Sequence, residues 1–320
     1  MSYLRVSVTD RCNLRCFYCV PEEGLSLLGH NAILSYEEIV AVVKAGVRHG
    51  IKKVRITGGE PLVRRGITDL ISCIASMPGI EDLAMTTNGV RLAHMAQDLK
   101  NAGLHRVNVS LDSMRPEVFA KITGRDHCRE VINGIEAALG AGLNPVKINV
   151  VAVAGVNDAE FVDFARLTLQ KPVTIRFIEY MPIGKNMHWA KEKSISSQEI
   201  RNLIEKDLGR LSSVEGHGPL DGPARRFTLP NAKGEIGFIN AISGHFCSTC
   251  NRLRLTADGK MRPCLFSDKE IDVRTVLRNG AAPADLDALF TRAISQKPKG
   301  LDSGGAERPG CDRGMSTIGG

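Results

Sequence analysis

The run Cys12-Asn13-Leu14-Arg15-Cys16-Phe17-Tyr18-Cys19 places three thiols within eight residues, directly after a strand-like segment from Leu4 to Thr9. A loop this short can turn all three sulfurs toward one point. Three thiolates leave a tetrahedral zinc one ligand short, whereas a four-iron cluster held by three cysteines keeps one iron open to an outside molecule. Zinc sites and ferredoxins favour CxxC spacing, and the wider first gap of this CxxxCxxC run departs from both. Tyr18, just before the last thiol, adds an aromatic edge.

Working outward, Ser35-Tyr36-Glu37-Glu38 has capping-box spacing and opens a periodic apolar helix through about Val47, ending near Gly50. Lys52 to Thr57 reads as a strand, followed by Gly58-Gly59-Glu60-Pro61 and a helix over Gly66 to Met77. Strand-like runs recur at Glu81 to Thr86, His105 to Leu111, Val146 to Ala152 and Val173 to Tyr180. Helical segments at Leu92 to Asn101, Arg129 to Gly140 and Asn157 to Thr168 lie between them. Such alternation makes right-handed parallel crossovers, which build an open doubly wound sheet or most of a barrel. Polar turns follow the strands at the Cys12 loop, Gly58 to Pro61, Thr86 to Gly89, Ser110 to Ser113 and Glu179 to Pro182. In a parallel barrel these all lie on the C-terminal rim, where such barrels place their chemistry. The expected fold class is therefore α/β, a partial barrel over residues 1–183.

The bulk numbers fit that size of unit. Of 320 residues, 43% are hydrophobic and 24% charged, and no apolar run is long enough to cross a bilayer. The first ten residues carry neither a signal-peptide core nor an Arg/Ser-rich transit segment. The expectation is a soluble cytoplasmic protein whose nine cysteines serve metal or catalysis rather than disulfides. The net charge of +7 is modest, aromatics are 5%, and no run of five Lys/Arg occurs, so neither nucleic acid nor membrane is expected as a partner.

Beyond Gly184 the chain turns polar, with a helix near Ser196 to Asp207 and a Gly/Pro-rich stretch at Gly216 to Pro223. Alternating segments Ala224 to Leu229, Gly237 to Ile242 and Arg252 to Thr256 suggest antiparallel strands, and helices follow near Glu270 to Arg278 and Ala284 to Gln296. This defines an extension, 184–296, and a tail, 297–320, that composition reads as flexible. Within the extension, Cys247-Ser248-Thr249-Cys250 and Cys264 form a second set of three thiols. A structural zinc completed by His245 or His217 and a second iron–sulfur cluster both fit that spacing. On a strand, Arg252 and Arg254 share one face. Two guanidinium groups beside a metal suit an anionic ligand, with surface ion pairing the plainer alternative.

The CxxxCxxC run resembles the signature of the radical S-adenosylmethionine (SAM) enzymes, in which the amino and carboxylate groups of SAM occupy the open iron. Together with Cys247-Ser248-Thr249-Cys250-Asn251-Arg252-Leu253-Arg254 and Cys264, it resembles the GTP 3′,8-cyclase family of molybdenum-cofactor biosynthesis. The likeness spans nearly the whole chain. It includes Leu4 to Arg11, Thr57 to Leu62, Thr87-Asn88-Gly89, Ser110-Leu111-Asp112, Arg176 to Pro182 and the closing Gly319-Gly320. The resemblance implies an incomplete (β/α)6 TIM-like barrel with two [4Fe-4S] clusters. Its first cluster, on Cys12, Cys16 and Cys19, would reduce SAM to a 5′-deoxyadenosyl radical that takes hydrogen from C3′ of GTP. The C3′ radical would then attack guanine C8, giving 3′,8-cyclo-7,8-dihydro-GTP. The second cluster, on Cys247, Cys250 and Cys264, would hold the guanine edge.

By the same resemblance, SAM falls to Tyr18, Gly59, Ser110 and Met181. GTP falls to Arg5, Arg55, Thr86, Lys147 and Arg252, Leu253 and Arg254, with Lys53 and Arg176 as further triphosphate candidates. Gly319 and Gly320 would enter the active site, against the reading from composition. The implied partners are an unidentified electron donor and a downstream cyclic pyranopterin monophosphate synthase, with homodimerisation left open. Cys73, Cys128 and Cys311 are read as thiols without a metal role. The competing assignments are another radical SAM enzyme with an auxiliary cluster, such as a peptide-modifying one, and a zinc-stabilised binding protein.

Overall fold

Runs of β-branched and aliphatic residues form six strands: β1 (Tyr3–Ser7), β2 (Lys53–Thr57), β3 (Asp82–Thr87), β4 (Arg106–Ser110), β5 (Val146–Ala152) and β6 (Val173–Glu179). All pair in parallel, in chain order. The computed structural model describes the chain apart from residues 21–23, 25, 182, 185–190, 216–217, 219–220, 245, 299, 301–310, 312 and 320. The sequence-based expectations for His217, His245, Pro182 and Gly320 lie outside the described residues.

Helices α1 (Tyr36–Arg48), α2 (Ile67–Ala75), α3 (Leu92–Asn101), α4 (Pro116–Thr123), α5 (Cys128–Gly140) and α6 (Phe161–Gln170) connect the strands. The expected capping box is present: the Ser35 hydroxyl accepts from the Glu38 amide and the Glu38 carboxylate accepts from Ser35 N–H. Helix α4 is an addition to the pattern read from sequence. It starts with Pro116 in its first turn and stops at Gly124, whose φ of 69° suits glycine.

The extension contributes α7 (Ser197–Leu208), β7 (Ser212–Ser213), β8 (Arg225–Thr228), β9 (Glu235–Ile239), β10 (Arg252–Leu255), β11 (Lys260–Arg262), β12 (Ile271–Asp272), α8 (Arg274–Arg278) and α9 (Pro283–Ser295). A short helix, α10 (Met315–Ile318), follows near the C-terminus. Of the three segments expected as antiparallel strands, β8 and β9 pair so with each other, while β10 pairs antiparallel with β11; β7, β11 and β12 were not anticipated and add the antiparallel pairs β7–β8 and β11–β12. What the sequence did not reveal is that β9 and β10 also pair in parallel with β6 and β1. The extension therefore lengthens both edges of the barrel sheet, whose order is β12-β11-β10-β1-β2-β3-β4-β5-β6-β9-β8-β7. With β12 and β7 as its two ends, the ladder does not close among the described residues.

Strand alternation then sorts the side chains. Leu4, Val6, Leu253 and Leu255 join the apolar core under the helices, each fully buried. Tyr3, Arg5, Arg252 and Arg254 point the other way, into the barrel. No helix among the described residues is long and apolar enough to cross a membrane.

Candidate active site

The cysteine loop leaves the C-terminal end of β1 and is pinned by its backbone. The amides of Arg15 and Phe17 donate to the carbonyls of Thr123 (2.8 Å) and Ile122 (3.1 Å) at the end of α4, the helix missed from sequence. Cys19 and Val20 N–H both donate to the Cys16 carbonyl, and Leu14 N–H donates to Cys12 Sγ at 3.4 Å. All three cysteines line the barrel interior. Burial, with the neighbouring thiols and Asp112, pushes the Cys19 thiol up to about 12 and Cys16 well above the ordinary thiol value. Thiols so reluctant to ionise become thiolates when metal cations compensate their charge. A donor set of three cysteines in one loop fits an iron–sulfur cluster with an open iron. Among the described residues, no three His, Cys, Asp or Glu side chains converge to hold a single metal ion.

Tyr18 packs edge-on against Phe17 and Tyr180, with ring centroids 5.4 and 6.5 Å away, and its hydroxyl donates to Asp112. Asp112 also accepts from Val151 N–H at 2.8 Å, and burial raises its carboxyl to about 6. From sequence, Tyr18 is assigned a role, whereas Asp112 enters only as part of the Ser110-Leu111-Asp112 match. The Gly58-Gly59-Glu60 turn crosses directly over the cysteine loop. A Cβ on Gly59 would sit 2.4 Å from the Arg11 carbonyl oxygen, and one on Gly58 2.7 Å from that of Thr9. Here the glycines are required by the packing of two backbones. Glu60 braces the turn, accepting from Thr87 Oγ1 (2.7 Å), Asn88 N–H (2.6 Å) and Leu62 N–H (2.9 Å).

Below the rim, cations from several strands meet. The register sets Arg254, Arg5 and Arg55 side by side on β10, β1 and β2, and Arg252, Tyr3 and Lys53 in the next layer. Arg176 enters from β6. Burial, and then their mutual repulsion, holds Arg176 and Arg254 well below the usual guanidinium range and Arg5 at about 10. Burial alone would raise the Tyr3 phenol, yet Arg55, Arg5, Lys53 and Arg252 together bring it down to about 7. Its ring also lies 4.9 Å from Lys53 Nζ and 5.6 Å from Arg55 Cζ. Buried without a hydrogen-bond partner are Nε of Arg55, Nε of Arg176 and the side-chain oxygens of Asn108 and Asn149. The two unsatisfied guanidinium donors, among closely spaced buried cations, suit a polyanion, while the two amide oxygens are acceptors open to a donor group.

Three candidates have other partners or surroundings than the arginine row. Lys53 is buried and pairs with Asp82 at 3.2 Å, which Arg106 also engages. Lys147 lines a separate recess at the N-terminal end of the strands, with Arg106 and Thr174, where burial and then Arg176 lower it to about 7. Leu253 is fully buried in the outer core, with its side chain away from the cavity. Thr86, Ser110 and Met181 line the main cavity.

Cys247, Cys250 and Cys264 border the same cavity as Cys12, Cys16 and Cys19, about 2140 Å³ of empty space counting the part open to solvent. Burial would raise Cys250, but Arg252 and Lys297 bring it down to about 7, a setting suited to a metal-bound thiolate. Arg252 also packs on Phe246, its Cζ 4.9 Å from the ring centroid. The C-terminal segment closes one side. Ile183, Cys311 and Ile318 form a small apolar core with Met181, Leu265 and Phe266. Arg313 bridges Asp258 and Glu270. Arg254 Nη1 donates to the Gly319 carbonyl at 2.8 Å. Composition reads residues 297–320 as flexible, but residues 313–319 are packed into the barrel because their apolar side chains have this pocket to fill.

Comparison with known proteins agrees with this geometry. The Radical SAM superfamily model matches residues 6–168, and the Molybdenum Cofactor Synthesis C model matches residues 173–303. A GTP 3′,8-cyclase of Heliobacterium modesticaldum is 52% identical over 99% of this chain and 97% of its own length. One from Thermodesulfovibrio yellowstonii is 51% identical over 100% of this chain and 98% of its own. Among solved structures, Streptococcus suis SuiB bound to S-adenosylmethionine superposes with a TM-score of 0.62 at 11% identity, covering 89% of this chain and 67% of that one. Methylornithine synthase gives 0.51 at 14% identity, covering 64% and 61%. At these identities the structural likeness speaks for the fold alone.

Proposed function

The chain belongs to the GTP 3′,8-cyclase family of the radical SAM superfamily, and from that premise we propose that it joins C3′ of the GTP ribose to guanine C8. The product is 3′,8-cyclo-7,8-dihydro-GTP, an intermediate of molybdenum-cofactor biosynthesis. The observation that carries this reading is one cavity shared by two cysteine triads and a floor of buried arginines. When bound, SAM and the clusters supply one-electron radical chemistry. The chain's own residues bind, orient and exclude water.

Cys12, Cys16 and Cys19 hold the SAM-binding cluster, and Cys247, Cys250 and Cys264 hold the second. Tyr18, Ser110 and Met181 border the SAM side, and Gly59 keeps the turn beneath it close to the cysteine loop. Arg5, Arg55, Arg176, Arg252 and Arg254 take the triphosphate, with Thr86 beside them. Arg supplies paired donors to phosphate oxygens, and each charge is stronger for being desolvated. Lys147 adds to the same field from the far end of the barrel, and Lys53 and Arg106, sharing the single carboxylate of Asp82, leave a net positive charge there. Leu253 holds Arg252 and Arg254 on one face by anchoring between them. Gly319, followed by Gly320, completes the wall against Arg254. An external electron donor would supply the reducing electrons in the cytoplasm, and the product would pass to the cyclic pyranopterin monophosphate synthase.

Nucleotide binding to the cluster-loaded protein, measured by calorimetry, tests the arginine floor. Charged hydrogen bonds contribute about 1.5–3 kcal/mol each, so removing all three phosphates is expected to weaken binding by roughly two orders of magnitude or more. Equal affinity for GTP and guanosine would remove the arginines from the binding site.

A further inference from the structure

Lys297 lies just beyond the extension, at the start of the segment that composition reads as flexible, and nothing in its sequence context marks it. In the structure its ammonium donates to Cys250 Sγ (3.5 Å), the Arg252 carbonyl (2.8 Å) and the Pro263 carbonyl (3.0 Å). A lysine ammonium has three protons, and here each has an acceptor within the protein. That arrangement separates Lys297 from the arginines of the floor, because it keeps no donor in reserve for a nucleotide.

The three acceptors belong to two stretches of chain. Cys250 and the Arg252 carbonyl lie at the entry to β10, while Pro263 directly precedes Cys264 at the exit from β11. Bringing the third thiol to the first two means holding these stretches together, and Lys297 spans the gap. Its own position is fixed. Lys297 N–H donates to the Ile294 carbonyl at 3.2 Å, at the end of α9, and α9 is anchored by buried Leu286, Phe290 and Ala293. Phe290 stacks on His49 at the end of α1, with centroids 5.5 Å apart. A cation at a helix C-terminus is itself favoured by the helix dipole.

We propose that Lys297 is the positioning residue of the second cysteine triad, tying Cys250 to the Cys264 strand and balancing thiolate charge at that site. The inference rests on the reading that this triad holds a cluster. A donor and positive charge beside a cluster sulfur also raise its reduction potential, so Lys297 makes the second centre easier to reduce than it would otherwise be.

The test uses the anaerobically reconstituted full chain without nucleotide. Iron and sulfide content, electron paramagnetic resonance and redox titration are read for wild type, Lys297→Met and Lys297→Gln. Wild type is expected to carry two clusters. Lys297→Met is expected to lose the second while the first still shows its SAM-dependent spectral change. Lys297→Gln, which keeps a donor without the charge, is expected to retain the second cluster at a more negative midpoint potential. Two clusters with unshifted potentials in Lys297→Gln would overturn the proposal, whether or not Lys297→Met folds. A wild type with a single cluster would instead overturn the reading on which it rests.

Discussion

Gly319→Ala is expected to lower cyclisation about a hundredfold while leaving both clusters assembled. The position has a φ of 70°, in the left-handed region, where a Cβ costs about 1–2 kcal/mol. That Cβ would also lie 2.9 Å from Thr57 Cγ2 and 3.2 Å from Ser7 Cβ, side chains at the C-terminal ends of β2 and β1. Overpacking of this kind adds roughly 1–3 kcal/mol. The sum falls on docking of the C-terminal segment, since the barrel strands are fixed by their ladder and the segment is not. A penalty of about 3 kcal/mol shifts that docking by roughly two orders of magnitude. Product formation under single-turnover conditions, with iron content as the control, checks it. Full activity would mean that the wall made by Gly319 is dispensable.

Arg254→Ala is expected to have the other large effect, a drop in kcat/KM for GTP of roughly thirtyfold to a few thousandfold, equivalent to about 2–5 kcal/mol for a desolvated charged contact. Arg254 combines two roles: it stands in the cationic row with Arg5 and Arg55, and it donates to the Gly319 carbonyl. Its loss would therefore remove the proposed phosphate contact and the hydrogen bond to the C-terminal segment together. The effects of Arg254→Ala and Gly319→Ala should then be less than additive in the double variant, as for residues that act through one contact. Arg252→Ala should impair turnover less, because its guanidinium is shared with the Phe246 ring. In neither arginine variant should the first cluster be lost. If it is, these arginines serve structure and not substrate.

Much of this was legible from local pattern. The capping box at Ser35, the six strands and the shared face of Arg252 and Arg254 follow from periods of 3.6 and 2 that each segment carries by itself. The cysteine spacing pointed to two thiol triads, and both border one cavity. What escaped is non-local. Strand partners are chosen across the chain, so nothing in Glu235–Ile239 or Arg252–Leu255 announced parallel pairing to β6 and β1. Asp112, Tyr3 and Lys297 look ordinary in sequence and gain their roles from what faces them. Gly59, assigned to SAM by resemblance, is also demanded by the chain's own backbone at Arg11, which no local pattern showed. Composition misread residues 313–319 for a related reason: polar averages hide the few apolar side chains, such as Ile318, that dock.

The proposed mechanism has the buried arginines and the second triad present the GTP ribose to the radical generated at Cys12, Cys16 and Cys19. Reduced, cluster-loaded protein given SAM and GTP deuterated at C3′ should release 5′-deoxyadenosine only when GTP is present, and that deoxyadenosine should carry the deuterium. Deoxyadenosine formed at the same rate without GTP, or formed with GTP but free of deuterium, would contradict it.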